Sequence, residues 1–158
     1  MATITLPDGS TLEMADGATA KQVAEKIGAG LAKAAIAAKI DGKLVDLNTP
    51  LTGTPRVQIV TPKDKEGLEL MRHSCAHVMA EAICSLWPAT KLVYGPTVQD
   101  GFYYDIDLDE PIRPDDFARI EAKMQEIVDA NKPFTRKELS RQEALEELRN
   151  DKYKTDNI

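Results

Sequence analysis

Apolar and polar residues alternate with period two at the start of the chain. Ile4 and Leu6 are interleaved with threonines, Pro7-Asp8-Gly9 supplies a turn, and Leu12 and Met14 resume the alternation, which predicts a β-hairpin. The period then changes. Thr19 followed by Gln22 has the spacing of a capping box, opening a short helix with Val23, Ala24 and Ile27 inward and Gly28 as its stop. Residues 35–40, Asp41-Gly42 and residues 43–47 read as a second hairpin, and residues 56–60 as a final strand of the Val/Ile type. Two strands, a helix and further strands in so short a span predict a β-grasp sheet wrapped over one helix.

Thr61-Pro62-Lys63-Asp64 is a polar joint containing a proline, and it separates residues 1–62 from residues 63–158 as two expected domains. The second begins with KEGLELMRHSCAHVMAEAICSLW, which holds no proline and is stopped by Pro88, so it predicts one helix roughly 33 Å long. At about 100° per residue, Leu68, Met71, Cys75, Val78, Met79, Ala82 and Leu86 fall on one broad face, the expected core side. His73 and His77, the only histidines, sit one turn apart on the opposite face. They share it with Glu69 and Glu81 but also with Leu70, Ala76, Ala80 and Cys84, which suggests a cleft wall.

After Gly95-Pro96 turns the chain, GFYYDIDL sets Phe102, Tyr104, Ile106 and Leu108 against Tyr103, Asp105 and Asp107, as in a half-buried antiparallel strand. Pro114 suits a first helical turn, with Asp115 and Asp116 near the positive end of the dipole. Phe117, Ile120, Met124, Ile127 and Val128 form the inward stripe of that helix, which Asn131 and Pro133 end. Residues 134–139 suit a short strand. Ser140 with Glu143 repeats the capping-box spacing ahead of Ala144, Leu145 and Leu148, and the closing DKYKTDNI predicts no element. The fold class is α+β.

Composition narrows the setting. Hydrophobic residues at 42% and charged residues at 29% are ordinary for a globular chain, no apolar run can span a bilayer, and MATITLPDGS lacks the marks of a signal peptide. A cytoplasmic location with no membrane partner is expected. A net charge of −6 argues against a stand-alone nucleic-acid binder, which needs clustered cations. Lys63/Lys65, Arg136/Lys137 and Lys152/Lys154 are pairs, not a basic stripe. Cys75 and Cys84 point to different faces of one helix, so no disulfide joins them.

Two histidines at i and i+4 can share one ligand. In the zinc-protease pattern His-Glu-x-x-His the Glu is the general base, but here Ser74 stands in its place. Cys84 lies about 10 Å beyond His77 along the axis, too far for one zinc to reach all three. Asp105, Asp107 and Asp109 imitate a calcium loop, but Glu110 occupies the position of the required glycine. Gly28-Ala29-Gly30 lacks the third glycine of a dinucleotide fingerprint, and no phosphate loop of the Walker type is present.

The run EGLELMRHSCAHVMAEAI, then LWP, then YGPTVQDGFYYDIDL, resembles the start of the editing domain of bacterial threonyl-tRNA synthetase. ITLPDGS, GLAKAAIAAKIDGKLVDL and VQIVTPKD resemble the TGS module of the same family, a β-grasp (ubiquitin-like) domain. The resemblance covers the chain in order. It implies a TGS domain over 1–62 and the first part of the editing domain over 63–158, truncated at its C-terminal end. It further implies His73, His77 and Lys154 as catalytic residues, Gly95, Asp100 and Tyr104 as substrate contacts, and the 3′ end of threonine tRNA as partner. The site would hydrolyse serine wrongly joined to that tRNA. The family's later Cys-x-x-x-His segment, its catalytic core with ATP, magnesium and zinc, and its anticodon-binding domain are absent. The chain therefore resembles a fragment, needing no cofactor of its own and weak in deacylation, of a parent that is a homodimer. A non-enzymatic β-grasp adaptor and a metal-dependent hydrolase using the histidine pair are the competing readings.

Overall fold

A computed structural model describes every residue except Pro133, Phe134, Arg136 and Asn157. In it the N-terminal alternation forms a hairpin of β1 (Ala2–Thr5) and β2 (Thr11–Met14), with Ile4 opposite Leu12 and Ala2 opposite Met14. Thr19 caps α1 (Ala20–Ile27), its hydroxyl accepting from the Gln22 N–H while the Gln22 side chain accepts from the Thr19 N–H. Gly28 ends α1, as expected, but the chain re-enters a helix at once, α2 (Ala29–Ala34). The second hairpin is β3 (Ala37–Ile40) with β4 (Lys43–Val45), and β5 (Val57–Val60) pairs antiparallel to the other side of β3. A parallel bridge from Thr5 to Arg56 and a hydrogen bond from the Thr5 N–H to the Pro55 carbonyl (3.0 Å) bring β1 alongside β5. The strand order β2-β1-β5-β3-β4 around α1 is a β-grasp sheet.

The backbone falls into two compact units, Met1–Met71 and Arg72–Ile158, and the division lies inside the long helix α3 (Lys65–Leu86). In the first unit Ala2, Ile4, Met14, Ala18, Val23, Leu51 and Val57 form the core. Burying each large member contributes about 1.5–3 kcal/mol. Ile27, expected inward, is 43% exposed at the last turn of α1. The start of α3 is tied into this unit. The Asp64 carboxylate accepts from the Thr61 N–H (2.7 Å) and hydroxyl (2.9 Å), and Lys39 forms an ion pair with Glu66. At Gly67 a Cβ would stand 1.9 Å from the Thr61 carbonyl oxygen, so only glycine permits this approach.

The second unit contains β6 (Lys91–Tyr94), β7 (Thr97–Val98), β8 (Gly101–Phe102) and β9 (Asp105–Asp107). β6 pairs with β9 and β7 with β8, both antiparallel. The strand expected over GFYYDIDL is thus cut in two. Its alternation survives the break: Phe102, Tyr104, Ile106 and Leu108 are half-buried, whereas Tyr103, Asp105 and Asp107 are exposed. Pro114 opens a short 3-10 turn, followed by α4 (Phe117–Asp129). Ser140 and Glu143 cap α5 (Arg141–Glu147) reciprocally. DKYKTDNI, expected to be irregular, contains a one-turn helix α6 (Lys152–Thr155), whose Asp151 side chain accepts from the Lys154 N–H. The strand expected over 134–139 falls partly outside the described residues, and 137–139 is irregular.

The core of this unit joins Ala82 and Ile83 of α3 to Ile120 of α4, with Met79, Leu86, Trp87, Ile106, Met124 and Ile127 packed around them. Phe117 and Val128, placed on the inward stripe of α4, are 55% and 57% exposed because they lie at its two ends. The helix-wheel reading of α3 is also corrected. Leu68, Met71 and Cys75 are exposed, whereas Ala76 and Ala80, on the histidine face, are buried. Small alanines let neighbouring backbone approach closely, and hydrophobicity alone does not reveal which of two apolar faces is covered.

Candidate catalytic site

α3 presents His73 and His77 one turn apart, and their rings meet. The two Nε2 atoms are 2.9 Å apart, with ring centroids separated by 4.4 Å and planes at 85°. Such a contact requires one Nε2–H donor and one Nε2 lone pair. In the neutral pair each Nδ1 then has the opposite character, so the pair offers one acceptor and one donor beyond itself. Both residues keep solvent access. The protein packed around His77 is nonetheless the largest cause holding its basicity below the ordinary imidazole range, followed by His73 and the Lys154 ammonium. His77 is therefore neutral at pH 7.

Lys154 comes to this site from the far end of the chain. A hydrogen bond from the Tyr153 hydroxyl to the Asp107 carboxylate (2.9 Å) attaches α6 to β9, and the Lys154 ammonium stands 3.8 Å from Asp151. Burial pushes the Cys84 thiol up, against the opposing pull of Lys154. The Tyr104 phenol is raised too, by burial first and then by Cys84. His73, His77, Cys84, Tyr104 and Lys154 thus share one electrostatic neighbourhood. Gly95 belongs to it sterically, since a Cβ there would lie 2.4 Å from the Tyr104 ring. Asp100 is exposed in the β7–β8 turn, beside Gln99, whose carbonyl accepts from the Arg72 guanidinium at 2.5 Å.

Sequence reasoning overlooked the supporting contacts of Arg72, Asp107 and Tyr153. Only Arg72 carried a signal, being the residue that leads into the histidine pair; the Asp107–Tyr153 bond spans 46 residues. Among the described residues no group of three or more His, Cys, Asp or Glu side chains could hold a metal. No helix among them is long and apolar enough to cross a membrane.

Residues 2–61 match the TGS domain family. Threonine–tRNA ligase of Desulfatibacillum aliphaticivorans is 48% identical over 158 residues, all of this chain and 25% of the relative. The ligase of Hyphomonas neptunium is 52% identical over 145 residues, 92% of this chain and 22% of its own length. That of Acidiphilium cryptum is 47% identical across the whole chain. The chain spans about a quarter of the length of these relatives. It carries a TGS domain, and from end to end it is similar to the N-terminal region of bacterial threonine–tRNA ligases.

Proposed function

We propose that this chain acts as the N-terminal part of a threonine–tRNA ligase and contributes to hydrolytic editing of serine wrongly esterified to threonine tRNA. The observation that carries the reading is the contact between His73 and His77, beside Lys154, in a chain about half identical to such ligases. Editing answers a physical limit: a site that accepts threonine discriminates against one missing methyl by only about 10–200-fold. A second site must remove the smaller product.

A neutral imidazole can take a proton from water as that water attacks the ester carbonyl. The complementary donor of the pair can hold a hydroxyl of the terminal ribose. Lys154 favours the neutral form of His77 and offers a positive charge to the oxyanion that develops. Tyr104, packed against Gly95, lines the acyl end, and Asp100 contributes a polar contact at the rim. On this reading tRNA is the partner, and ATP, magnesium and zinc serve the aminoacylation portion of a cytoplasmic, homodimeric parent.

The test uses the whole ligase. His77→Ala and His73→Ala should each slow deacylation of seryl-tRNA by about 10²–10⁴-fold while threonylation continues. Unchanged deacylation in both variants would refute the reading. The 158-residue chain alone should hydrolyse seryl-tRNA weakly or undetectably.

A further inference from the structure

The β-grasp unit carries a groove of its own, about 290 Å³, at one end of its sheet. Thr5, Lys39, Arg56 and Gln58 contribute to its lining, with the Leu6-Pro7 turn and Gly42 at the ends of two hairpins. The register explains why these polar side chains converge. Lys39 on β3 lies directly opposite Gln58 on β5, and Arg56 stands two positions before Gln58, on the same face. Thr5 bridges to Arg56 from β1. Val57, between Arg56 and Gln58, points the other way into the core and is 1% exposed. One face of three adjacent strands therefore presents an ammonium, a guanidinium, an amide and a hydroxyl, all hydrogen-bond donors. In a chain of net charge −6 this concentration of donors is against the average.

Two carboxylates act on Lys39: Glu66 by direct contact and Asp64 through its charge. Glu66, on the first turn of α3, pairs with Lys39, whose side chain is 24% exposed. Among the described residues, the Arg56 guanidinium has no carboxylate within 4.0 Å; Asp41 instead accepts from the Arg56 backbone N–H at 2.9 Å. A planar guanidinium with an ammonium beside it suits a phosphoryl group, which accepts from both. The volume lies near the lower end for small-molecule sites, room for a phosphoryl group and a few further heavy atoms.

We infer that the groove between the Leu6-Pro7 turn and Lys39, Arg56 and Gln58 binds a small phosphorylated ligand, with Glu66 as the internal carboxylate that competes for Lys39. Ligand binding and the Lys39–Glu66 pair then oppose each other. Removing the Glu66 charge should tighten binding, whereas removing either cation should weaken it.

Amide NMR of the full 158-residue chain tests this with inorganic phosphate and glycerol 3-phosphate, each against sodium chloride of equal ionic strength. Both probes should shift the amides of Thr5, Gly9, Lys39, Gly42 and Gln58 saturably. Arg56→Gln should weaken binding by at least about tenfold, and Glu66→Gln should strengthen it. Tighter binding of glycerol 3-phosphate than of phosphate would mean that the groove reads the attached carbons. Equal binding would mean that it reads the phosphoryl group alone, and either result upholds the site. Shifts reproduced by sodium chloride, or unchanged in both Arg56→Gln and Lys39→Gln with the remaining spectrum intact, would overturn it.

Discussion

The two units differ in the size of the side chains they bury completely. In Met1–Met71 the core is built on Ile4, Val23, Leu51, Val57 and Val60, all at most 1% exposed. In Arg72–Ile158 the buried apolar residues are Ala76, Ala80, Ala82, Ile83 and Ile120, while Tyr94, Val98, Tyr103, Phe117 and Val128 remain 47–61% exposed. The first unit contains one interlocked core. The second gathers imidazoles, a thiol, a phenol and an ammonium on a scaffold of smaller apolar contacts. On the reading proposed above, the editing groups sit on the unit whose fully buried side chains are smaller, where local opening costs less.

That contrast breaks most directly at Ile4. Truncation to Ala should cost about 2–5 kcal/mol in the β-grasp unit, because the cavity lies among residues held by strands, a loop and a helix. Trp87, the only tryptophan, packs in the core of the other unit, so its fluorescence reports that unit separately. In urea, Ile4→Ala should shift the circular-dichroism transition and leave the Trp87 transition in place. A single transition moving in both signals would dissolve the distinction between the units.

Gly67→Ala comes next. Alanine gains about 1 kcal/mol in helix propensity. Its Cβ meets a backbone carbonyl at 1.9 Å, however, which no side-chain rotation can relieve. The overlap should win, giving a net loss of about 1–3 kcal/mol by chemical denaturation. Gly95→Ala should cost less, since the Tyr104 ring it meets can swing away. Its readout is the Tyr104 phenol, whose pKa should fall back towards the ordinary 10.0 as burial is lost.

The smallest effect sharpens the contrast through pH. The folded-state pKa of His77 lies below the ordinary 6.5, so the unfolded chain takes up a proton there before the folded one does. Its contribution to stability is present above pH 6.5 and is lost as pH falls through the depressed folded value. Asp64 and Glu66, whose carboxyls are lowered chiefly by hydrogen bonds from Thr61 and Lys39, act in the same direction at lower pH, below 3.8 and 4.5 respectively. Mild acid should therefore loosen the histidine-bearing unit first. Lys154→Met should raise the His77 pKa, followed by imidazole NMR, by removing an adjacent positive charge.

Much of the β-grasp unit was legible from local pattern. Period-two alternation, the Asp41-Gly42 turn and the Thr19 capping box each specify conformation within a few residues, and each reappears in place. α2 was missed because Gly28 read as a stop, although Gly28 ends one helix and immediately precedes the next. Lys91–Tyr94 went unrecognised as a strand because a four-residue run gives too few periods to count. The histidine pair was visible from its spacing. Tyr104 and Lys154 were named only through the family resemblance, since they arrive from elements far along the chain and no local pattern links them to the pair.

The amino-acid sequence by itself determined the Asp41-Gly42 turn, the Thr19 and Ser140 capping boxes and the placing of both imidazoles on one side of one helix, since these depend on neighbours no more than four residues apart. Tertiary structure alone decided that Ala76 and Ala80 are covered while Leu68 and Met71 are not, and that Tyr153 binds Asp107 and so brings Lys154 to His77. It also set Lys39 across from Gln58 and beside Glu66. Those outcomes depend on which distant surfaces fit together, and a residue's hydrophobicity or charge does not contain that information.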